Sequence, residues 1–366
     1  MYPRDVKKSK GKSAPPKLRV GVVGIGYLGK FHAEKYAAIP GAQIVGLADI
    51  QPGRAGEWAD KLRTEAFTSH RSLLGKVDAV SVVVPTDQHY RVAKDFLQAG
   101  CDVLVEKPIS STPEKAEKLI ALARKNGRIL QVGHLERFNP AILAVRETIR
   151  VPLFIESHRL TPFRGRGTEV DVVLDLMIHD LDIILSFVRS SVKYIHAVGV
   201  PVLTDKVDIA NTRVEFHGGC VANITASRIS FEDRRRIRIF QPDTYLTLDY
   251  ASKEISLFRR VFNSESQRFQ IAAEHIEVEP GDALEKEIRS FVHSCLTRTA
   301  PVVSGEDGRN ALAVAMQINE QIQANLKKIP SIVSFYGTAE GRAENPRQGA
   351  GGTRRGKPWR RAGKRS

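Results

Sequence analysis

The chain has 366 residues, of which 42% are apolar, and a formal net charge of +15. Its length predicts about two domains with a full hydrophobic core. The charge sits mostly at the ends: residues 1–18 hold six Lys/Arg and one acid, residues 337–366 hold nine and two, and the 318 residues between carry about +3. The basicity therefore describes two appendages and does not describe the fold. The longest apolar run, 79–84, is far short of a membrane span, and the Lys-rich N-terminus lacks the apolar stretch of a signal peptide. Three cysteines, Cys101, Cys220 and Cys295, are odd in number and widely spaced. They argue against a disulfide framework or structural zinc and for a reducing, cytoplasmic setting.

Residues 1–17, rich in Lys, Ser, Pro and Gly, read as a disordered basic N-terminus. The apolar run 18–23 then ends in Gly24-x-Gly26-x-x-Gly29, and a helical pattern (Phe31, Ala33, Tyr36, Ala37) follows at once. Strand, glycine turn and helix N-terminus together aim backbone N–H groups at a diphosphate. The glycines serve a tight turn, close approach to the pyrophosphate, and packing of helix on strand. A second apolar run, 44–48, ends in Asp49, 20 residues past Gly29. An acid there binds a ribose 2′-hydroxyl and repels a 2′-phosphate, which favours NAD; an ordinary strand-end aspartate is the plainer alternative. Gly24, Gly26, Tyr27, Leu28, Gly29 and Asp49 are the first candidate cofactor residues.

Apolar runs at 18–23, 43–48, 77–84, 101–105 and 128–132 alternate with helical spacing at 88–99 and 113–126. Near-continuous apolar strands between helices predict a parallel sheet covered on both faces, hence a doubly wound dinucleotide-binding (Rossmann) domain over 18–138. Ligands in such sheets lie beyond the carboxyl ends of the strands. Pro85, Thr86 and His89 follow one strand end, with a helix N-cap role for Thr86 as the plain alternative. Glu106-Lys107-Pro108 follows the next. A lysine beside a nicotinamide can hydrogen-bond a substrate hydroxyl and stabilise charge as its proton leaves; a surface Glu–Lys pair is the plainer alternative.

After Asn139-Pro140 the texture changes, and 139–331 reads as a second, α+β domain with a large, mostly antiparallel open sheet. A helix at 141–149 leads to a strand at 153–160, a polar loop at 161–171 and a helix at 172–188. Strands follow at 193–203, 208–217, 220–229, 235–240, 244–250 and 254–259, several of them alternating in period two. Helices at about 282–297 and 307–327 close the fold, and 337–366 reads as a disordered basic tail. Inside the helix 172–188, Asp175 and His179 stand at i, i+4. A carboxylate there is expected to orient the imidazole and raise its basicity, as a general base needs. A structural helix-surface pair is the plain alternative, and no metal-ligand set is evident. At the joint between the domains, Arg137 and Asn139, with Arg164 and Arg166 in the polar loop, are candidates for binding an anionic substrate, since guanidinium forks suit carboxylate and phosphate.

Gly24-Ile25-Gly26-Tyr27-Leu28-Gly29, Glu106-Lys107-Pro108, Asp175-x-x-x-His179 and the late Ser304-Gly305-Glu306-Asp307-Gly308 helix start together resemble the Gfo/Idh/MocA family of sugar and polyol dehydrogenases, over about 18–326. The resemblance implies NAD(P), hydride transfer from a CH–OH group, and a second domain whose open sheet mediates dimers or tetramers. It places Lys107, Asp175 and His179 on the family's catalytic positions. Gly133-His134-Leu135-Glu136-Arg137-Phe138-Asn139-Pro140 and 171–182 look most like the nucleotide-sugar members, the UDP-N-acetylglucosamine 3-dehydrogenases that supply a 3-oxo sugar to an aminotransferase in lipid A synthesis. Two alternatives stay open: an uncharged polyol or free sugar such as inositol as substrate, or a non-catalytic NAD-binding regulator or nucleic-acid binder using the basic tails.

Overall fold

Two sheets carry the architecture. The computed structural model describes residues 17–165 and 169–329; the basic ends 1–16 and 330–366, and with them most of both predicted tails, lie outside the described residues, as does Arg166. The first sheet is formed by β1 (Leu18–Val23), β2 (Ala42–Ala48), β3 (Glu65–Phe67), β4 (Ala79–Val82), β5 (Asp102–Glu106) and β6 (Leu130–Gly133). Its order is β3-β2-β1-β4-β5-β6, parallel throughout. The chain reverses its winding between β1 and β4, which is where a doubly wound sheet opens its ligand crevice. The expected α/β fold is present, and the helices α1 (Gly29–Ala38), α2 (Pro52–Leu62), α3 (Thr86–Gln98) and α4 (Pro113–Lys125) separate the strands.

The second sheet contains β7 (Phe154–Leu160), β8 (Val192–Val200), β9 (Ile209–Phe216), β10 (Val221–Ser227), β11 (Arg234–Phe240), β12 (Thr244–Asp249), β13 (Glu254–Asn263) and β14 (Arg268–His275). Its order is β14-β13-β12-β11-β7-β10-β9-β8, and among its pairs β7–β10 runs parallel while the others are antiparallel. Along β7, β9, β10 and β12 every second residue is buried, the pattern of a sheet with one covered face. Three elements were not legible. Helix α2 buries only Ala55 and Ala59, too small a stripe to show as periodic hydrophobicity. Strand β3 is a three-residue edge. Strand β14 is almost wholly exposed, so no alternation marks it.

Helices α5 (Pro140–Val145), α6 (Ile178–Val188), α7 (Ala283–Thr297) and α8 (Gly305–Leu326) complete the fold, and a π turn, Val173–Met177, leads directly into α6. Helix α7 follows the second sheet in sequence yet packs on the first: Ile288, Phe291 and Cys295 join Val20, Tyr36 and Leu104 in one apolar cluster. This carries Glu287 beneath the ligand edge of the parallel sheet. All three cysteines are free and buried, as small core residues. No helix among the described residues is long and apolar enough to cross a membrane.

Candidate active site

Parallel register lines up the strand ends. Val23 pairs with Val82, Val82 with Val105, and Glu106 with Gly133, so Gly24, Pro85, Lys107 and His134 emerge along one edge. The glycine loop there is sterically obligatory. Gly24 has φ +90°, and a Cβ on Gly29 would lie 1.7 Å from the Gly24 carbonyl oxygen. A Cβ on Gly26, by contrast, would meet no atom within 4 Å. That open cradle beside the N-terminus of α1 is the space a diphosphate requires. Asp49 is 8% exposed; its Oδ2 accepts from the Ile25 N–H at 2.7 Å and its Oδ1 from the Gln51 N–H at 2.8 Å. Asp49 thus braces the loop, and each oxygen retains a lone pair for a ribose hydroxyl. A cleft of about 1060 Å³ is lined by Gly24, Gly26, Tyr27, Leu28, Asp49, Pro85, Thr86, His89, Glu106 and Lys107. Gly29 is the one sequence-selected cofactor residue absent from that wall, because it packs on Gly24. Arg54, Ser69, His70 and Arg71 also line the cleft; they come from α2 and the turn after β3, which periodicity did not reveal.

Thr86 opens α3 without capping it. His89 lines the cleft, but both its ring nitrogens are engaged, Nδ1 with the Pro108 carbonyl at 2.7 Å and Nε2 with that of Val84 at 2.8 Å. The ring clips α3 to the turn after β5 while lining the cleft. Burial holds its pKa below the usual value, against the pull of the two carbonyls.

Glu106 sits in a buried polar chain. His32 Nε2 lies 3.0 Å from Glu106 Oε1, His32 Nδ1 lies 3.2 Å from Ser81 Oγ, and the Tyr36 hydroxyl lies 2.8 Å from Ser81 Oγ. Burial pushes the Glu106 carboxyl up, but the His32 bond, His32 charge and Lys107 outweigh it, and the net shift is downward. Glu287 of α7 joins from below; one ligand atom each from His32, Glu106 and Glu287 falls within 4.8 Å of the others. With both His32 nitrogens already engaged, His32 and Glu106 are better described as a hydrogen-bonded pair than as part of a metal ligand set, and Glu287 lies beside that pair without bonding to it. Neither Glu287 oxygen has a partner, and burial, then the Glu106 charge, raise its pKa well above the ordinary value. Glu287 therefore holds its proton more tightly than an ordinary carboxyl does. A polar Ser81 inside an apolar strand was the available signal for this chain.

Lys107 and Asp175 do meet. The Lys107 ammonium donates to the Asp175 backbone carbonyl at 2.8 Å, and the Asp175 carboxylate lies 3.8 Å away. Burial lowers the lysine pKa, with Asp175 and Glu106 opposing. The expected Asp175–His179 bond is absent. Asp175 lies in the π turn, where the regular α spacing behind that expectation does not hold, and its carboxylate faces Lys107. His179 Nδ1 is buried without a partner. Burial, then the positive charges of Lys107 and Arg159, hold its pKa well below 6.5. The ring is neutral at neutral pH, as a proton acceptor must be.

Arg137 and Arg164 have carboxylate partners within the fold. Arg137 Nε donates to Asp182 Oδ2 at 2.8 Å, with Asp307 3.5 Å from its far end. Arg159 is buried between Asp180 and Glu136. Asn139 caps α5 through Oδ1 to the Ala141 N–H and donates to Glu136 through Nδ2, so it too is used structurally. Arg164 pairs on the surface with Asp233 at 2.9 Å. Arg235 of β11, which no sequence reading singled out, adds its charge to the field at His179.

A parallel sheet wound in this order, a glycine loop open where a diphosphate belongs, and a lysine with a neutral imidazole at the same edge define an NAD-binding oxidoreductase acting on CH–OH groups. Residues 18–134 match the family model described as "Oxidoreductase family, NAD-binding Rossmann fold". The chain is 38% identical to the UDP-N-acetylglucosamine 3-dehydrogenase of Acidithiobacillus ferrooxidans over 312 residues, 85% of this chain and 99% of that protein. A solved structure of that enzyme superposes with a TM-score of 0.79, covering 84% of this chain and 98% of the other. The scyllo-inositol dehydrogenase of Lactobacillus casei, with bound NAD(H) and scyllo-inositol, shares the fold at 21% identity and a TM-score of 0.69, covering 84% of this chain and 98% of that one. The chain belongs to the Gfo/Idh/MocA family.

Proposed function

We propose that the protein oxidises a ring hydroxyl of UDP-N-acetylglucosamine, at C3, to the 3-oxo sugar. The observation that carries this reading is the near-full-length 38% identity to an enzyme of that name, on a site that keeps a lysine and a neutral imidazole at the cofactor edge. Gly26 and its neighbours would hold the diphosphate of NAD, and Asp49 its ribose. When bound, the nicotinamide supplies the hydride acceptor. His179 takes the hydroxyl proton. Lys107, oriented by Asp175, donates a hydrogen bond to the same oxygen and stabilises the charge that develops there. The product is a ketone suited to an aminotransferase, as lipid A sugar synthesis requires, and a cytoplasmic setting accords with free thiols.

Assembly through the second sheet is part of the same proposal. Phe154, Phe240, Tyr245 and Phe258 form a ladder across β7, β11, β12 and β13, with centroid spacings of 5.5, 4.7 and 5.3 Å, on the half-buried face where a second copy would complete the burial. The neutralisation of Arg137 and Arg159 favours one rival, an uncharged polyol as substrate. NADH formation with UDP-N-acetylglucosamine, UDP-glucose, inositol and free N-acetylglucosamine tests both, with an aminotransferase and amino donor to draw off the ketone. Turnover with UDP-N-acetylglucosamine and inhibition by UDP are expected. Turnover with inositol alone would overturn the nucleotide-sugar reading.

A further inference from the structure

Helix α7 brings Glu287 up behind Glu106. Glu287 is wholly buried, and one carboxylate oxygen from each residue lies within 4.8 Å of the other. The two carboxyls differ in what reaches them. Both Glu106 oxygens have donors: Oε1 lies 3.0 Å from His32 Nε2, and Oε2 accepts from the Lys107 backbone N–H at 3.2 Å. Ser81 Oγ holds the far nitrogen of the His32 ring at 3.2 Å, and the Tyr36 hydroxyl holds Ser81 at 2.8 Å, so the ring is fixed on Glu106. Gly133 completes the seat, since a Cβ there would fall 2.9 Å from the Glu106 carboxyl carbon. Neither oxygen of Glu287 has a partner. Two carboxyls so close and so dry do not both ionise, and a buried carboxylate needs donors that only Glu106 has. The downward shift of Glu106 and the upward shift of Glu287 run in the same sense. Glu106 also lines the cofactor cleft beside Lys107.

We propose that Glu106 and Glu287 form a carboxyl pair with a single negative charge, and that this charge distinguishes oxidised from reduced cofactor. Glu106 carries the charge and faces the cleft; Glu287 carries the proton and lies behind it. The proposal rests on the reading that the nicotinamide lies at the Lys107 end of the cleft. The nicotinamide ring is cationic in NAD+ and neutral in NADH, so a fixed carboxylate in a low-dielectric wall attracts the first and not the second. The Lys107 ammonium does not cancel that charge alone, because it bonds to the Asp175 carbonyl and lies 3.8 Å from the Asp175 carboxylate. When the substrate C–H bond passes its hydrogen and electron pair to the ring, the ring loses its charge and the attraction to Glu106 ends in the same step. NADH then leaves more readily than NAD+. His32, Ser81 and Tyr36 are positioning residues for the charge, and the proton on Glu287 limits the pair to one.

The test measures Kd for NAD+ and for NADH at neutral pH by calorimetry. Glu106→Gln keeps the shape and removes the charge; it is expected to weaken NAD+ about tenfold and to leave NADH within about twofold. Glu287→Gln replaces an acid that carries no charge, and both affinities are expected to stay within about twofold. A merely structural role for Glu106 would weaken both forms together, so an unchanged ratio of the two affinities in Glu106→Gln would overturn the proposal. A selective loss of NAD+ in Glu287→Gln would place the charge on Glu287 and overturn it as well. Infrared spectra of the cofactor-free protein give a readout independent of binding. Glu287→Gln is expected to lose a protonated-carboxyl C=O band and Glu106→Gln a carboxylate band; the reverse assignment would overturn the pair. If Glu106→Gln changes neither affinity, the infrared bands tell whether the pair failed or the placement of the nicotinamide did.

Discussion

Replacing Arg137 by Met separates a binding arginine from a structural one. Arg137 holds Asp182 through two bonds, 2.8 and 3.3 Å long, and the Asp182 side chain is only 2% exposed. Removing one partner of such a pair leaves a buried charge uncompensated, a loss of about 3–5 kcal/mol for a fully buried pair. Because the Arg137 side chain is 12% exposed, the low end applies, about 3 kcal/mol. That is about a hundredfold in the folding equilibrium and, for a chain of this size, a fall of about 1 M in the urea midpoint. UDP binding, measured by calorimetry, is expected to change less than about twofold. Adding Asp182→Leu removes the stranded charge and is expected to return more than half of the lost stability. A midpoint equal to wild type together with UDP affinity weakened about tenfold would refute the reasoning and return Arg137 to the substrate diphosphate.

Gly26→Ala is expected to fold with wild-type thermal stability, since its Cβ meets nothing, yet to weaken NAD binding at least about tenfold by fluorescence titration; unimpaired binding would mean that the diphosphate lies elsewhere. Gly29→Ala is expected to lose both stability and NAD binding, because the new Cβ falls 1.7 Å from a carbonyl oxygen. Acid should destabilise the protein from about pH 6.5 downward. His89, His134 and His179 are buried with lowered pKa, so on unfolding each takes up a proton below 6.5, while Glu287, with its raised pKa, releases one. The net is about two protons, a slope near 2.7 kcal/mol per pH unit when fully developed, with stability rising with pH; a flat profile between about pH 5 and 6.5 in denaturant titrations would contradict these assignments. Glu287→Gln is expected to raise stability at about pH 8, since the carboxylic acid's advantage fades as pH rises and an amide cannot ionise; a loss there would show that Glu287 is charged in the fold.

The parallel sheet was legible because its strands are buried on both faces and read as uninterrupted apolar runs between amphipathic helices. The glycine loop was legible because its requirement is steric and local: Gly24 needs positive φ, and Gly29 has no room for a side chain. Lys107 followed from position alone, as the residue just past a buried strand. The partners of charged side chains were not legible, because pairing depends on which elements are folded against each other. Arg137 and Asn139 looked available for an anion, and the fold placed Asp182 and Glu136 against them. Asp175 and His179 stood at helical spacing, and a π turn set the carboxylate on Lys107 instead. His134 lay in a motif that assigned it no role, and Glu287 in none. Their importance arises from burial without partners, and burial is a property that chain segments distant in sequence confer on one another only when they pack.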